Sequence, residues 1–198
     1  MSGDRRLMTE ELKKTAIPVL KQKGFKGSFP HFRRISDDKI DLLMFQFDKY
    51  GGGFIVEISF ILTSEIDKYV FHWRKGVAPG KLTVADIKFR KRFPGANTWF
   101  YYCDLYEQKT LFRKNIIAVN PEEKLNLPEK YKLIKKADEN IYKELSEKAV
   151  SCIEEAERYW ENPDLFNKKK RFCVFGKNIF QFHIFKADVP EEGDRLPL

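Results

Sequence analysis

Two neighbouring stretches carry the side chains best suited to binding a negatively charged ligand. In the first, cations alternate with apolar residues, so Lys88, Arg90 and Arg92 lie on one face of a predicted strand. The next predicted strand has Phe100 and Tyr102 on one of its faces. If the two strands pair as a hairpin, cations and rings share a surface that can contact phosphates and stack on the bases of single-stranded nucleic acid. Cations at these positions also suit an edge strand that resists aggregation, and the neighbouring rings also suit packing under a helix.

The other chemically reactive residues form no recognisable catalytic or metal-binding pattern. The histidines His31, His72 and His183 share no metal-ligand spacing. No phosphate-binding loop, serine-hydrolase elbow or zinc motif is present. We therefore expect no catalytic residue, no metal site and no cofactor. The alternative is an enzyme whose site is assembled from distant residues, of which Tyr101, His72 and Glu57 are examples.

Cysteine usage and hydropathy indicate a cellular location. Cys103, Cys152 and Cys173 are odd in number and far apart, which is typical of reduced thiols in a cytosolic protein. No apolar run approaches the roughly 18 residues needed to span a bilayer, and no apolar segment follows the basic N-terminal residues. We expect a cytoplasmic protein that does not associate with membranes.

The charge distribution is uneven. The chain has 37 basic and 29 acidic side chains, a formal net charge of +8. Nine acidic and three basic side chains lie between residues 137 and 165, so the remainder is strongly basic. A basic surface favours an acidic protein partner and also permits nucleic acid.

Hydrophobic periodicity predicts the elements that position these residues. Between residues 40 and 62, two runs rich in β-branched and aromatic residues flank three consecutive glycines, which is typical of a β-hairpin. Thr9 is expected to cap an N-terminal helix that ends near Gly24. Asp138 is expected to cap a long helix that ends before Pro163. The apolar stripe of this helix consists of Ile141, Leu145, Ala149, Cys152, Ala156 and Tyr159.

Several short segments occur in an order shared with a known protein family. They are the helix end Gln22-Lys23-Gly24-Phe25, the step Phe32-Arg33-Arg34, the strand Phe45-Gln46-Phe47, the strand Phe54-Ile55-Val56-Glu57-Ile58 after a glycine break, and more loosely Arg92-Phe93 and Trp99-Phe100. In these segments, and in the position of its long helix, the chain resembles a bacterial family described as domain of unknown function 4304. The resemblance covers roughly two-thirds of the chain and rests on short apolar motifs. It implies an α+β fold and transfers no catalytic residue.

Together these patterns predict a single α+β domain over residues 1–187, followed by a flexible tail at residues 188–198. We expect a largely antiparallel sheet of about five to seven strands, with the N-terminal helix and the long helix, at about 138–161, packed on one face. The other face would be an open, basic and aromatic surface. The favoured function is a non-catalytic binding module for a protein partner. The alternatives are a single-stranded nucleic-acid-binding protein and an enzyme with an unrecognised site.

Overall fold

The computed structural model describes residues 3–49, 52–93, 95, 99–110, 114–119, 127–162, 170–174 and 177–182. The helices and strands in chain order are α1 (Gly3–Gln22), β1 (Lys26–Ser28), β2 (His31–Ile35), β3 (Lys39–Phe47), β4 (Gly53–Leu62), α2 (Ile66–Tyr69), β5 (Lys91–Phe93), β6 (Phe100–Tyr101), β7 (Asp104–Lys109), β8 (Lys114–Val119), β9 (Lys132–Lys135), α3 (Ile141–Glu161), β10 (Lys170–Val174) and β11 (Lys177–Phe182). Strands β1 to β6 form an antiparallel sheet in the order β1-β2-β3-β4, with β5 and β6 both pairing with β4. The α+β prediction is confirmed.

The predicted hairpin is the centre of this sheet. β3 and β4 pair antiparallel, with Phe47 opposite Phe54. Because side chains alternate along a strand, Phe54, Val56 and Ile58 point to the face covered by α1 and α3, which we call the helix face. The intervening residues of β4, including Glu57, point to the opposite or second face.

The N-terminal helix starts earlier than predicted. α1 begins at Gly3, and Thr9 lies inside it, where its hydroxyl donates to the Arg5 carbonyl at 2.7 Å. The cap assigned to Thr9 is therefore wrong, and Asp4 is the acidic residue of the first turn. The predicted helix end is confirmed, because Gly24 has a φ of 84°, a left-handed conformation that glycine adopts without strain.

The long helix is shorter at its start than predicted. α3 begins at Ile141, and the Asp138 carboxylate instead accepts the Asn140 backbone N–H at 2.9 Å in the turn before it. The stripe residues Ile141, Leu145, Ala149, Cys152 and Ala156 are buried on the helix face as predicted. At the far end, the Trp160 indole donates to the Ser59 carbonyl at 2.9 Å and ties α3 to β4.

The predicted pairing of the basic strand is wrong. The strand that forms is Lys91–Phe93, whereas Ile87 makes an isolated bridge to Val70 and the segment Val84–Asp86 forms a 3-10 helix. β5 and β6 do not form a hairpin with each other, since each pairs with a different part of β4. Phe93 lies opposite Val56 and Phe100 lies opposite Phe54. β4 is long enough to pair with both short strands. β5 and β6 therefore have β4 as their partner and do not pair with each other.

The second face of the sheet is covered, which corrects the prediction of an open surface. Residues 63–90, which we call the covering segment, fold over it as α2 and four short 3-10 helices. A second hydrophobic core lies between them, formed by Ile40, Leu42, Met44, Ile61, Val70, Leu82, Val84 and Ile87. Four of these come from the covering segment, and their burial supplies the driving force for its docking.

The remaining strands form two small antiparallel sheets. β7 pairs with β8 and with β9. β10 and β11 pair antiparallel, within the described residues 170–174 and 177–182. The predicted tail at residues 188–198 lies outside the described residues. None of the described helices has the length and apolar character to cross a membrane.

Candidate functional site

The five residues predicted to form one binding surface lie on different faces of the sheet. Phe100 and Tyr102 are 7% and 1% exposed, and the Phe100 ring packs 5.2 Å from Phe54 in the helix-face core. Arg92 lies opposite Glu57 and therefore points to the second face. The expectation of a shared basic and aromatic surface is wrong, because the two strands pair along β4 rather than with each other.

Arg90 and Arg92 surround a buried carboxylate. Glu57 is 0% exposed, and Arg92 Nε donates to its Oε1 at 2.5 Å. Arg90 Nη1 donates to Glu57 Oε2 at 3.4 Å, and the Gln46 amide, with its nitrogen toward Glu57, donates to the same carboxylate at 3.0 Å. A buried charge is tolerated when it is paired and hydrogen-bonded. One of the two arginine charges is therefore compensated inside the protein.

Lys88 has a separate role. Its ammonium group donates to the Lys68 carbonyl at 2.9 Å, and its backbone N–H donates to the Tyr69 carbonyl at 3.0 Å. These bonds join the two ends of the covering segment. Lys88 thus lies on the same side of the sheet as Arg90 and Arg92 but is not part of the carboxylate cluster.

An exposed aromatic residue on the covering segment was not predicted from the sequence. The Trp73 side chain is 64% exposed, and its ring stacks on Phe71 with centroids 4.5 Å apart and an interplanar angle of 8°. The His72 ring contacts Trp73 edge-on at 4.8 Å. The run from Phe71 to Arg74 has no apolar periodicity, so the stacking of this ring on the surface could not be predicted from the sequence. We call Phe71, His72, Trp73 and Arg74 the Trp73 patch.

Arg74 is fixed in this patch by a carboxylate. Arg74 Nε donates to Asp86 Oδ1 at 2.6 Å, while the Thr83 backbone N–H and hydroxyl both donate to Asp86 Oδ2 at 2.8 Å. Thr83 and Asp86 form a capping box on the 3-10 helix Val84–Asp86, which orients the carboxylate. Burial raises the pKa of Asp86, but the hydrogen bonds from Arg74 and Thr83 outweigh it, so the pKa lies below its usual value.

A basic pocket opens at the other edge of the main sheet. Its volume is about 350 Å³, and it is lined by Gly24, Lys26, Gly27, Arg33, Ile35 and Gly80. It therefore lies between the β1–β2 hairpin and the covering segment. Lys26 and Arg33 lie on the short strands β1 and β2, and the pairing that brings them together was not predicted from the sequence.

His31 lies beside this pocket on the same strand as Arg33. Its Nδ1 and the Nε of Arg33 are buried and have no hydrogen-bond partner among the described residues. Burial lowers the pKa of His31, the Arg33 charge lowers it further, and Asp86 acts in the opposite direction. His31 is consequently neutral at pH 7 and adds no charge to the pocket.

The residues named for an assembled enzyme site are not brought together. Glu57 is bonded to two arginines, His72 contacts Trp73, and Tyr101 lies opposite Gly53 on β4. Within the described part of the chain, no hydrogen bond, ion pair or ring contact joins Glu57, His72 and Tyr101 to one another. The described residues also contain no group of three or more His, Cys, Asp or Glu that could hold a metal ion.

Comparison with known proteins identifies a family and adds no activity. A family model described as Domain of unknown function (DUF4304) matches residues 16–160. This range contains the six strands of the main sheet, the covering segment and the basic pocket. No curated protein and no solved structure matches the chain.

Proposed function

The chain belongs to the DUF4304 family, and we propose that it is a non-catalytic binding module whose partner is a protein with an acidic surface. The observation that carries the proposal is the Trp73 ring, which is exposed yet held in one orientation by Phe71. Tryptophan and arginine are enriched among the residues that dominate protein interfaces. A ring that is already ordered loses little conformational entropy when a partner covers it.

The charge of the covering segment supports an acidic partner. Residues 63–90 carry six basic and three acidic side chains. Lys75 and Lys81 are exposed, and no ion pair of theirs occurs among the described residues. Basic side chains around an aromatic anchor would accelerate association with an acidic surface and exclude basic proteins.

Single-stranded nucleic acid is the second candidate, because Trp73 and the same cations also suit a stacked base and its phosphates. Two features favour a protein instead. One face of Trp73 is already covered by Phe71. Phe100 and Tyr102, which would have extended the stacking surface, are buried. Successive bases need successive exposed rings.

The proposal also concerns the cellular location. Cys103 and Cys152 are buried thiols in the structure. Thiols of this kind are typical of a reducing compartment, and we propose that the protein acts in the cytosol.

Fluorescence anisotropy with defined probes tests the proposed function. The full chain is titrated into a labelled peptide of about ten glutamates and, separately, into a labelled oligonucleotide of about ten thymidines, both at low salt. We expect saturable binding of the peptide and weaker binding of the oligonucleotide. Trp73→Ala should weaken peptide binding by about tenfold or more, since interface anchors contribute on this scale.

Matched variants make the test specific. Leu7→Ala removes another exposed apolar side chain, on α1, and should leave binding unchanged. Lys75→Gln should weaken binding, whereas Lys21→Gln on α1 should not. Arg74 is left intact because its removal would unpair Asp86. The proposal fails if the peptide shows no saturable binding, and tighter binding of the oligonucleotide would favour the nucleic-acid alternative.

A further inference from the structure

The basic pocket concentrates positive charge without compensation. Lys26 and Arg33 lie directly opposite each other in the pairing of β1 with β2. Like charges at directly opposed positions destabilise a sheet. No carboxylate is among the six residues that line the pocket, and neither cation has an ion pair in the described part of the chain. An anion between them would remove this repulsion.

Arg33, which lines the pocket, also has an unused hydrogen-bond donor. Arg33 Nε is buried, and no described residue accepts a hydrogen bond from it. A buried donor without a partner is uncommon in folded proteins and often indicates a missing ligand or water. The guanidinium group is a planar fork that matches the oxygens of a carboxylate or a phosphate.

The shape of the pocket limits the size of its ligand. A volume of about 350 Å³ is at the small end of the range for ligand sites. Three of its six lining residues are glycines, which bring the backbone close to the space, and Ile35 supplies an exposed apolar side chain. This is room for one acidic group and a short organic portion.

We propose that this pocket binds a small phosphate monoester. The two cations match a dianion, and a phosphate monoester carries a charge of about −1.5 to −2 at pH 7, whereas a single carboxylate would leave one cation uncompensated. Arg33 contacts two phosphate oxygens, Lys26 contacts a third, and the organic portion lies against Ile35. The pocket is independent of the Trp73 patch and of the partner proposed for it.

Isothermal titration calorimetry on the full chain tests this site at constant ionic strength. The probes are inorganic phosphate, O-phosphoserine, acetate and serine. We expect saturable binding of one phosphate or one phosphoserine per chain, with phosphoserine the tighter of the two, and no measurable binding of acetate or serine. Arg33→Gln and Lys26→Gln should each weaken phosphoserine binding by about tenfold, the scale of a lost charge-assisted hydrogen bond. Lys21→Gln removes a nearby charge outside the pocket and should have no effect.

A larger side chain at Gly80 can obstruct the pocket without removing either cation. A Cβ on Gly80 would meet no atom within 4 Å, so Gly80→Ala should be silent while Gly80→Leu should obstruct the pocket and weaken binding. If Arg33→Gln fails to fold, Lys26→Gln and Gly80→Leu decide the result.

A phosphoserine-containing peptide that binds more tightly than free phosphoserine assigns the phosphate to a protein, and weaker binding of the peptide assigns it to a small molecule. The proposal is overturned if wild-type protein does not bind phosphoserine, if acetate binds equally well, or if Lys26→Gln and Gly80→Leu leave affinity unchanged.

Discussion

Arg92 lies directly opposite Glu57 in the pairing of β5 with β4, and its Nε donates to the buried Oε1 at 2.5 Å. The Arg92 side chain remains 36% exposed, whereas that of Glu57 is fully enclosed. The arginine therefore neutralises an interior charge while its outer edge contacts solvent. Arg92, which the sequence pattern predicted to bind a ligand, therefore helps to hold the edge strand β5 against β4.

Replacing Arg92 alone should destabilise the protein strongly. Arg92→Met retains much of the side-chain volume but leaves the Glu57 carboxylate buried with only Arg90, at 3.4 Å, and Gln46 as partners. Breaking a buried ion pair from one side costs about 3–5 kcal/mol, and we expect about 3 kcal/mol because Arg90 remains. Urea unfolding followed by circular dichroism measures the change.

The double variant Glu57→Gln/Arg92→Met should recover more than half of this loss, because no buried charge is then left unpaired. Arg6→Met, on the exposed surface of α1, serves as the control and should change stability by less than about 0.5 kcal/mol. An Arg92→Met protein as stable as the wild type would show that the pair contributes nothing to folding.

The central hairpin could be predicted because its evidence is local. Two runs rich in β-branched and aromatic residues on either side of three glycines indicate both strands, and β3 and β4 pair as expected. The docking of the covering segment on the second face could not be predicted from the sequence. Short 3-10 helices have no extended periodicity, so the burial of Val70, Leu82 and Val84 becomes apparent only when the covering segment is docked.

The candidate sites depend on contacts between distant parts of the chain. Whether Arg92 is a surface cation or the partner of Glu57 is decided by the strand with which it pairs, 35 residues away. Composition gives a formal net charge of +8, but it could not locate the unpaired charges. Lys26 and Arg33 are brought together by a short hairpin, and the exposure of Trp73 is set by Phe71.

Two glycines that line the basic pocket should respond differently to the same substitution. Gly27 has a φ of 128°, and a Cβ there would approach the His31 carbonyl oxygen to 2.5 Å, so Gly27→Ala must displace β1 from β2. We expect a loss of at least about 1 kcal/mol. Gly80→Ala meets open space and should be neutral. Thermal unfolding of the two variants in parallel checks the contrast, and equal stability would mean that the β1–β2 approach is not constrained.

Asp86→Asn should destabilise the protein in a pH-dependent manner. The pKa of Asp86 is lowered in the folded state, so the ionised carboxylate stabilises the fold above its unfolded value of 3.8, and this contribution is lost as the pH falls through the folded pKa. At pH 7 we expect a loss of about 1–2 kcal/mol, typical of a broken helix cap. The gap between variant and wild type should narrow in urea titrations as the pH falls below 3.8. A gap that does not change with pH would assign the loss to packing.

Asp67→Asn provides the control for this pH series. Asp67 is an exposed carboxylate on the neighbouring helix α2, and its replacement should alter stability by less than about 0.5 kcal/mol.

Trp160 is buried and Trp73 is exposed, so replacing each in turn distinguishes an effect on folding from an effect on binding. Trp160 is buried against Phe25, with ring centroids 5.0 Å apart, and bonded to β4, so Trp160→Ala should cost about 3–5 kcal/mol in urea unfolding. Trp73→Ala removes an exposed ring and one stacking contact, and should cost less than about 1 kcal/mol. If Trp73→Ala proves as destabilising as Trp160→Ala, the ring is a structural element and its exposure no longer argues for a partner. If it is tolerated, folding does not require the stacked surface ring, and its fixed orientation is consistent with recognition.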